Sequence, residues 1–240
     1  MVHERAVGVG TAIDPDSVYV GSTDIATYGA LVENYTISGT AITNAQYKGI
    51  NRTNFNLLKQ TYGYKQITLN LVLIDDTRKD LVTNKSQLDS LFTGKVELLM
   101  PDGFYYTAFL QTAGELTIIG QNNNEVLAQC KYTFSGIQHD ALVTATGNTV
   151  NCSSTMPYTD CRLTCTASQA YQELQIGPVT VTDVAQGDVI VADGINGRIL
   201  QNGAPCAGNM SFIHFPTLVP GSNTITCPET LTVEYYPTYI

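Results

Sequence analysis

The sequence predicts a mainly β protein of two domains, a β-sandwich-like N-terminal domain with one α-helix over residues 1–140 and an antiparallel sandwich or jelly roll over residues 141–240. Three observations point there. Apolar and polar residues alternate with the two-residue period of half-buried strands. Turn residues punctuate these runs at short intervals. Helical spacing is convincing in one stretch only, within residues 75–94.

Through about residue 63 the chain is polar and rich in turn residues, with strand-like text such as YGALVENYTISG and a loop around KGINRTNFNL. In YKQITLNLVLIDD, Ile67, Leu69, Leu71 and Leu73 share one strand face, and Thr68, Asn70 and Val72 share the other. The first set is expected in the core. Leu81, Leu88, Leu91 and Phe92 then follow at spacings of seven, three and one. They make one side of an amphipathic helix, with Asp76 as its expected cap and Gly94 as its end. KVELLM, FYYTAFLQT, ELTIIG and EVLAQCKYTFSGI, separated by PDG, AG and QNNN, are written as a β-meander. In the last of these Val126, Ala128, Cys130, Tyr132 and Phe134 form one face, so Cys130 reads as a small core hydrophobe.

Near QHDALVTATGN the strong patterning stops, and a polar, Thr-rich stretch opens the second domain. QAYQELQIG, VTVTDV, GDVIVAD, GRILQNG and MSFIHF read as its strands, with turns at ADGINGR and QNGAPC. At the end, PGSN is expected to turn the chain back into a final strand in which Leu231, Val233 and Tyr235 alternate with Thr232, Glu234 and Tyr236.

Composition narrows the function. The net charge of −9 opposes binding to a phosphate backbone, which depends on Lys and Arg, though it suits an acidic passage through which DNA slides without sticking. The opening residues lack the apolar run of a signal peptide, and no segment approaches the length of a membrane span, so the expectation is a soluble protein made in the cytosol. The Asn-X-Ser/Thr triplets are then chance matches.

No chemistry-bearing constellation stands out, and no catalytic, cofactor-binding or metal residue is assigned. His3, His139 and His214 lie far apart in sequence, and none belongs to a catalytic signature. His139 beside Asp140 reads as a surface pair. Gly8–Gly10 (GVG) does not open a dinucleotide fingerprint. Asp75 with Asp76, and Asp188 with Asp193, were they paired across a sugar, would suit glycoside hydrolysis. Caps and turns explain them sufficiently. Cys152, Cys161 and Cys165, at spacings of nine and four, do not match a zinc ribbon or finger. Reduced thiols come first for them, a disulfide second and zinc third. Tyr235, Tyr236 and Tyr239 suit sugar stacking or strand faces and subunit contacts equally.

The helix before GKVELLMPDGFYYTAFL, the β-rich text around it, and the closing LVPGSNTI followed by LTVEYYPTYI resemble the distal tail protein (Dit) family of long non-contractile-tailed bacteriophages and related prophage tail components. The resemblance covers roughly residues 64–139 and 187–240. It implies a structural virion protein rather than an enzyme, with a galectin-like jelly roll as second domain. The implied assembly is a six-subunit ring at the tail tip, built by the N-terminal domains. The implied partners are the tail tube protein, the tail-associated tip protein and a receptor-binding protein, around a channel through which DNA leaves. The runner-up is a carbohydrate-binding module used in attachment to the host cell wall.

Overall fold

The structure, a computed structural model, describes residues 16–48, 50, 53–122, 125–206 and 208–240. The chain divides into two compact units, one ending at Ile137 and the other starting at Gln138.

The first unit carries β1 (Tyr19–Val20), β2 (Thr23–Asp24), a 3-10 turn (Ile25–Tyr28), β3 (Ala30–Ile37), β4 (Ile42–Tyr47), β5 (Asn56–Tyr62), β6 (Lys65–Asp75), α1 (Arg78–Leu91), β7 (Lys95–Leu99), β8 (Tyr105–Ala113), β9 (Thr117–Gln121) and all but the last two residues of β10 (Val126–His139). Its main sheet runs β2-β1-β7-β8-β10-β6-β3, with β9 also on β10. Val126 through Gly136 pair with Asp75 back through Lys65 in one unbroken register. The two core faces expected from alternation are buried as expected, from Ile67 to Leu73 and from Val126 to Phe134. Because Ala128, Cys130, Tyr132 and Phe134 face Leu73, Leu71, Leu69 and Ile67 across the ladder, the β6–β10 pair presents one continuous greasy surface. The curled sheet closes over it, and Leu81, Leu88 and Phe92 of α1 pack into the same core. Phe92 meets the Tyr132 and Phe134 rings edge-on at 4.9 and 5.0 Å.

Two local expectations change. The helix cap is Thr77, not Asp76: Thr77 Oγ1 accepts from Asp80 N at 3.1 Å and donates to Asp80 Oδ2 at 2.6 Å. The two members of this reciprocal pair stand three positions apart, the reach a cap needs, whereas Asp76 stands one position too early. The helix gives way at Phe92, and Gly94 follows in the left-handed region at φ 81°. The meander is also interrupted. β8 and β9 do not pair with each other but both pair with β10, β9 taking Val126–Gln129 across a register shift.

The second unit carries β11 (Val143–Thr146), β12 (Thr149–Cys152), β13 (Thr159–Thr166), β14 (Tyr171–Ile176), β15 (Val179–Val184), β16 (Val189–Asp193), β17 (Arg198–Gln201), β18 (Ala204–Pro205), β19 (Met210–Phe212), β20 (Thr217–Leu218), β21 (Gly221–Thr224) and β22 (Thr232–Tyr235). One sheet runs β11-β22-β13-β16-β17-β18, with β20 on β13; β14-β15-β19 and β12-β21 form the others. Inward residues from all of them meet in one core, the sandwich of a jelly roll. The polar stretch that opens this half is not a loose crossing. Thr159, Cys161, Leu163 and Cys165 are buried in β13, alternating with Asp160, Arg162 and Thr164. The four-residue cysteine spacing is therefore strand periodicity.

Leu231, Val233 and Tyr235 are buried, and β22 lies between β11 and β13 rather than at an edge. The PGSN segment differs from expectation. β20 pairs with β13 while β21 pairs with β12, so the flanking strands belong to different sheets and form no hairpin. Gly221, Ser222 and Asn223 are already strand, and Asn223 ties the crossing by accepting from Val219 N and donating to Val219 O at 2.9 and 2.7 Å.

Candidate functional site

The side chains weighed for chemistry are occupied structurally. His139 is buried, its Nδ1 2.9 Å from the Asp140 main-chain oxygen and its ring edge-on to Tyr236, while the Asp140 carboxylate accepts from Ala141 N. It is therefore not the surface pair expected. His214 Nδ1 lies 2.7 Å from the Phe215 carbonyl oxygen, and His3 and the glycines at 8 and 10 fall outside the described residues. Asp75 accepts from Asn84 Nδ2 at 2.6 Å. Asp188 accepts from Ala185 N, Gln201 and Asn202, closing one turn. Asp193 is fully buried and accepts from Asn196 N, Asn196 Nδ2 and Arg198 Nε, with Arg162 Nε at 3.3 Å.

Among the described residues no group of three or more His, Cys, Asp or Glu side chains converges as a metal site. All six cysteines are free, and burial pushes Cys130 up to about 11 and Cys161 up to about 12, which keeps them protonated. Of the tyrosines considered for sugar stacking, Tyr235 is buried with its hydroxyl donating to Asn151 O at 3.1 Å, so it offers no platform. Tyr158, which the sequence did not single out, is 72% exposed.

What stands out is a surface. β4 and β5 make a two-stranded sheet of their own, continuing the β3–β6 pair through Ser38 N to Gln66 O and Gly63 N to Ala41 O hydrogen bonds. Every residue of β4 is exposed, and so is every residue of β5 before Tyr62. A ribbon exposed on both faces stands clear of its own unit. Its stem is polar, with Gln60 Nε2 donating to Asn44 Oδ1 and Tyr62 donating to Gln60 Oε1. Towards the far end the residues turn apolar: Tyr47 is 62% exposed, Ile50 93%, Phe55 53%, Leu57 51% and Leu58 69%. An isolated two-stranded hairpin is marginal in water, and a cluster of large exposed hydrophobes on one is characteristic of a contact surface. In sequence this region reads as polar loop, yet FNLLKQTY carries the signal of the ribbon: large apolar residues inside a run of β-compatible polar ones.

A two-unit β protein with its apolar surplus on a projecting arm belongs, by architecture, among proteins that pack against other chains. Over 93% of its length and 99% of the other chain it superposes on the crystal structure of SPP1 Dit, described as a paradigm of the hub adsorption apparatus in phages infecting Gram-positive bacteria, with a TM-score of 0.72 and 13% identity. The chain thus has the fold of a phage distal tail protein. A chain of the phage p2 baseplate in its activated conformation with calcium aligns more loosely, with a TM-score of 0.47 and 10% identity over 89% of this chain and 92% of that one. No family model and no curated protein matches the sequence.

Proposed function

We propose that the chain is a structural, non-enzymatic virion protein, the distal tail hub of a long non-contractile phage tail. The observation that carries this reading is the whole-length likeness to SPP1 Dit, which includes both units rather than one common β module. In this reading the protein is made in the bacterial host cytoplasm and resides at the tail tip. It joins the tail tube to the tail-associated tip protein and the receptor-binding apparatus, and surrounds the path of the DNA.

The projecting ribbon supports self-assembly. An arm on one subunit that seats on a different surface of the next is a heterologous contact, and such contacts close into rings when the rotation permits. Six copies are proposed on the family resemblance, with the ring built by the N-terminal unit and tolerant of change in the C-terminal one. The net charge of −9 agrees with a channel that does not retain DNA.

Imaging of tail tips carrying a tagged copy tests the proposal. Six-fold density at the junction of tube and tip is the expected result. Tag density on the capsid, along the tube, or only on peripheral fibres overturns it.

A further inference from the structure

The outer face of the main sheet changes character along the β6–β10 ladder. With Ile67, Leu69, Leu71 and Leu73 turned to the core, the opposite face carries the cross-strand pairs Gln66–Ser135, Thr68–Thr133, Asn70–Lys131, Val72–Gln129 and Ile74–Leu127. The first three pairs are polar, as suits a sheet face turned to water. At the far end the face becomes aliphatic. Ile74 faces Leu127, and Val72 faces Leu31 of β3, which is 51% exposed. None of Leu31, Val72, Ile74 and Leu127 joins the core cluster of the unit. They form an apolar patch at one end of an otherwise polar face.

The ribbon grows from the other end of the same strands. Pairing between β3 and β6 runs past Ile37 through the Ser38 N to Gln66 O and Gly63 N to Ala41 O bonds into β4 and β5, on the side away from Leu31. About 20 Å of strand separates Ser38 from Leu31. Leu57 and Leu58 on the ribbon and Leu31 on the patch are all at least half exposed in the single chain, so neither cluster covers the other. Each subunit therefore carries an apolar arm at one end of a hydrogen-bonded ladder and an apolar patch at the opposite end.

We propose that the patch is the seat of the ribbon from a second copy, with Leu57 and Leu58 of one chain packed on Leu31, Val72, Ile74 and Leu127 of the next. The inference rests on the self-assembly reading and names the surface which that reading uses. Its geometry is head-to-tail: one arm and one seat per subunit, on different surfaces, so that every copy both gives and receives and the chain of contacts can close on itself. A two-fold contact of ribbon on ribbon would leave the four aliphatic residues of the patch in water. The polar rows from Gln66–Ser135 to Asn70–Lys131 lie between arm and seat and stay free of the contact.

The test places the photoreactive residue benzoylphenylalanine at position 58 of the full chain, which is irradiated both as purified protein and in assembled tails. The expected product is a link between two copies, from residue 58 to a peptide containing Leu31, Val72 or Leu127. Leu127→Lys in the same chain is expected to lower its yield at least tenfold while the thermal transition of the first unit is kept. A link from residue 58 to another surface of a neighbouring copy, such as Tyr64 and Phe109 or a second ribbon, overturns the seat and leaves self-assembly standing. So does a yield unchanged by Leu127→Lys. Links only to a different protein, or no link between chains in either preparation, overturn the seat together with the ribbon's part in self-assembly.

Discussion

Tyr132 donates a 2.7 Å hydrogen bond to Asp89 Oδ1, joining the middle of β10 to the last turn of α1. Lys85 completes the contact, its ammonium bonded to both Asp89 oxygens at 3.0 and 2.7 Å and 5.5 Å from the centre of the Tyr132 ring. Burial first, and the Asp89 carboxylate second, push the Tyr132 hydroxyl above its ordinary value, so it stays a donor at every physiological pH. The helix is therefore oriented on the sheet by a polar contact as well as by Leu81, Leu88 and Phe92.

Tyr132→Phe keeps the ring and its aromatic neighbours but removes this donor. A hydrogen bond to a charged acceptor is worth about 1.5–3 kcal/mol. Urea unfolding of the first unit is expected to show a loss in that range with the m-value unchanged. An unaltered midpoint would mean that the contact contributes nothing to α1 docking.

Asp193 contributes to the acid response of the second unit, beside Asp188 and Glu229, whose carboxyls are also held low by hydrogen bonds. Burial by itself would raise its pKa, but hydrogen bonds from the Asn196 side chain and backbone and from Arg198, with the charge of Arg162, outweigh burial and leave it below its ordinary 3.8. A carboxyl whose folded pKa is depressed contributes stability that is complete above the unfolded value and is lost as pH falls through the folded one. The Tm of the second unit is expected to fall as pH drops from about 5 to about 3. Asp193→Asn should cost about 1.5–3 kcal/mol at neutral pH, because it removes the charged acceptor of the Asn196 and Arg198 hydrogen bonds while Arg162 keeps Glu234, and should make the acid decline shallower. An equally steep decline in the variant would assign the acid sensitivity elsewhere.

Deleting residues 231–240 removes β22 from between β11 and β13 and exposes the core once covered by Leu231, Val233 and Tyr235. Each buried aliphatic side chain is worth roughly 1.5–3 kcal/mol, and the total exceeds the margin of most domains. Calorimetry of the truncated chain is expected to lose the second unit's transition and retain the first. Persistence of both transitions would contradict the central placement of β22.

On the ribbon, Leu57→Asp with Leu58→Asp places charge where the structure has exposed leucines and touches no core residue. Under the ring reading, the thermal transition of the subunit stays within about 1 °C, since surface substitutions cost little. Assembly measured by sedimentation, or incorporation into particles where the ring needs a template, should fall at least tenfold. Undiminished incorporation would remove the ribbon from the subunit contact.

Sequence alone carried the parts of this protein that are decided locally. The period-two faces of β6, β10 and β22 and the leucines of α1 could be read directly, because alternate residues on a strand, or those three and four apart on a helix, meet the same surroundings. The same rule, applied with too little weight to thiols and threonine, left β13 hidden. Cys161 and Cys165 are as buried as Leu163 between them, yet their residue type suggested chemistry rather than packing.

Tertiary structure alone decided which apolar residues have nothing to cover them and which polar ones are out of water. Leu57 and Leu71 are the same residue in similar strands, one 51% exposed and the other fully buried, because among the described residues β5 pairs with β4 alone while β6 lies between β10 and β3 with a helix over its face. The crossing at Pro220 and the burial of Asp193 are likewise consequences of pairings between segments far apart in the chain. Each of those segments has a local pattern compatible with several partners, and the free energy that selects one comes from filling a shared core, a property of the assembled sheets and of no single stretch of residues.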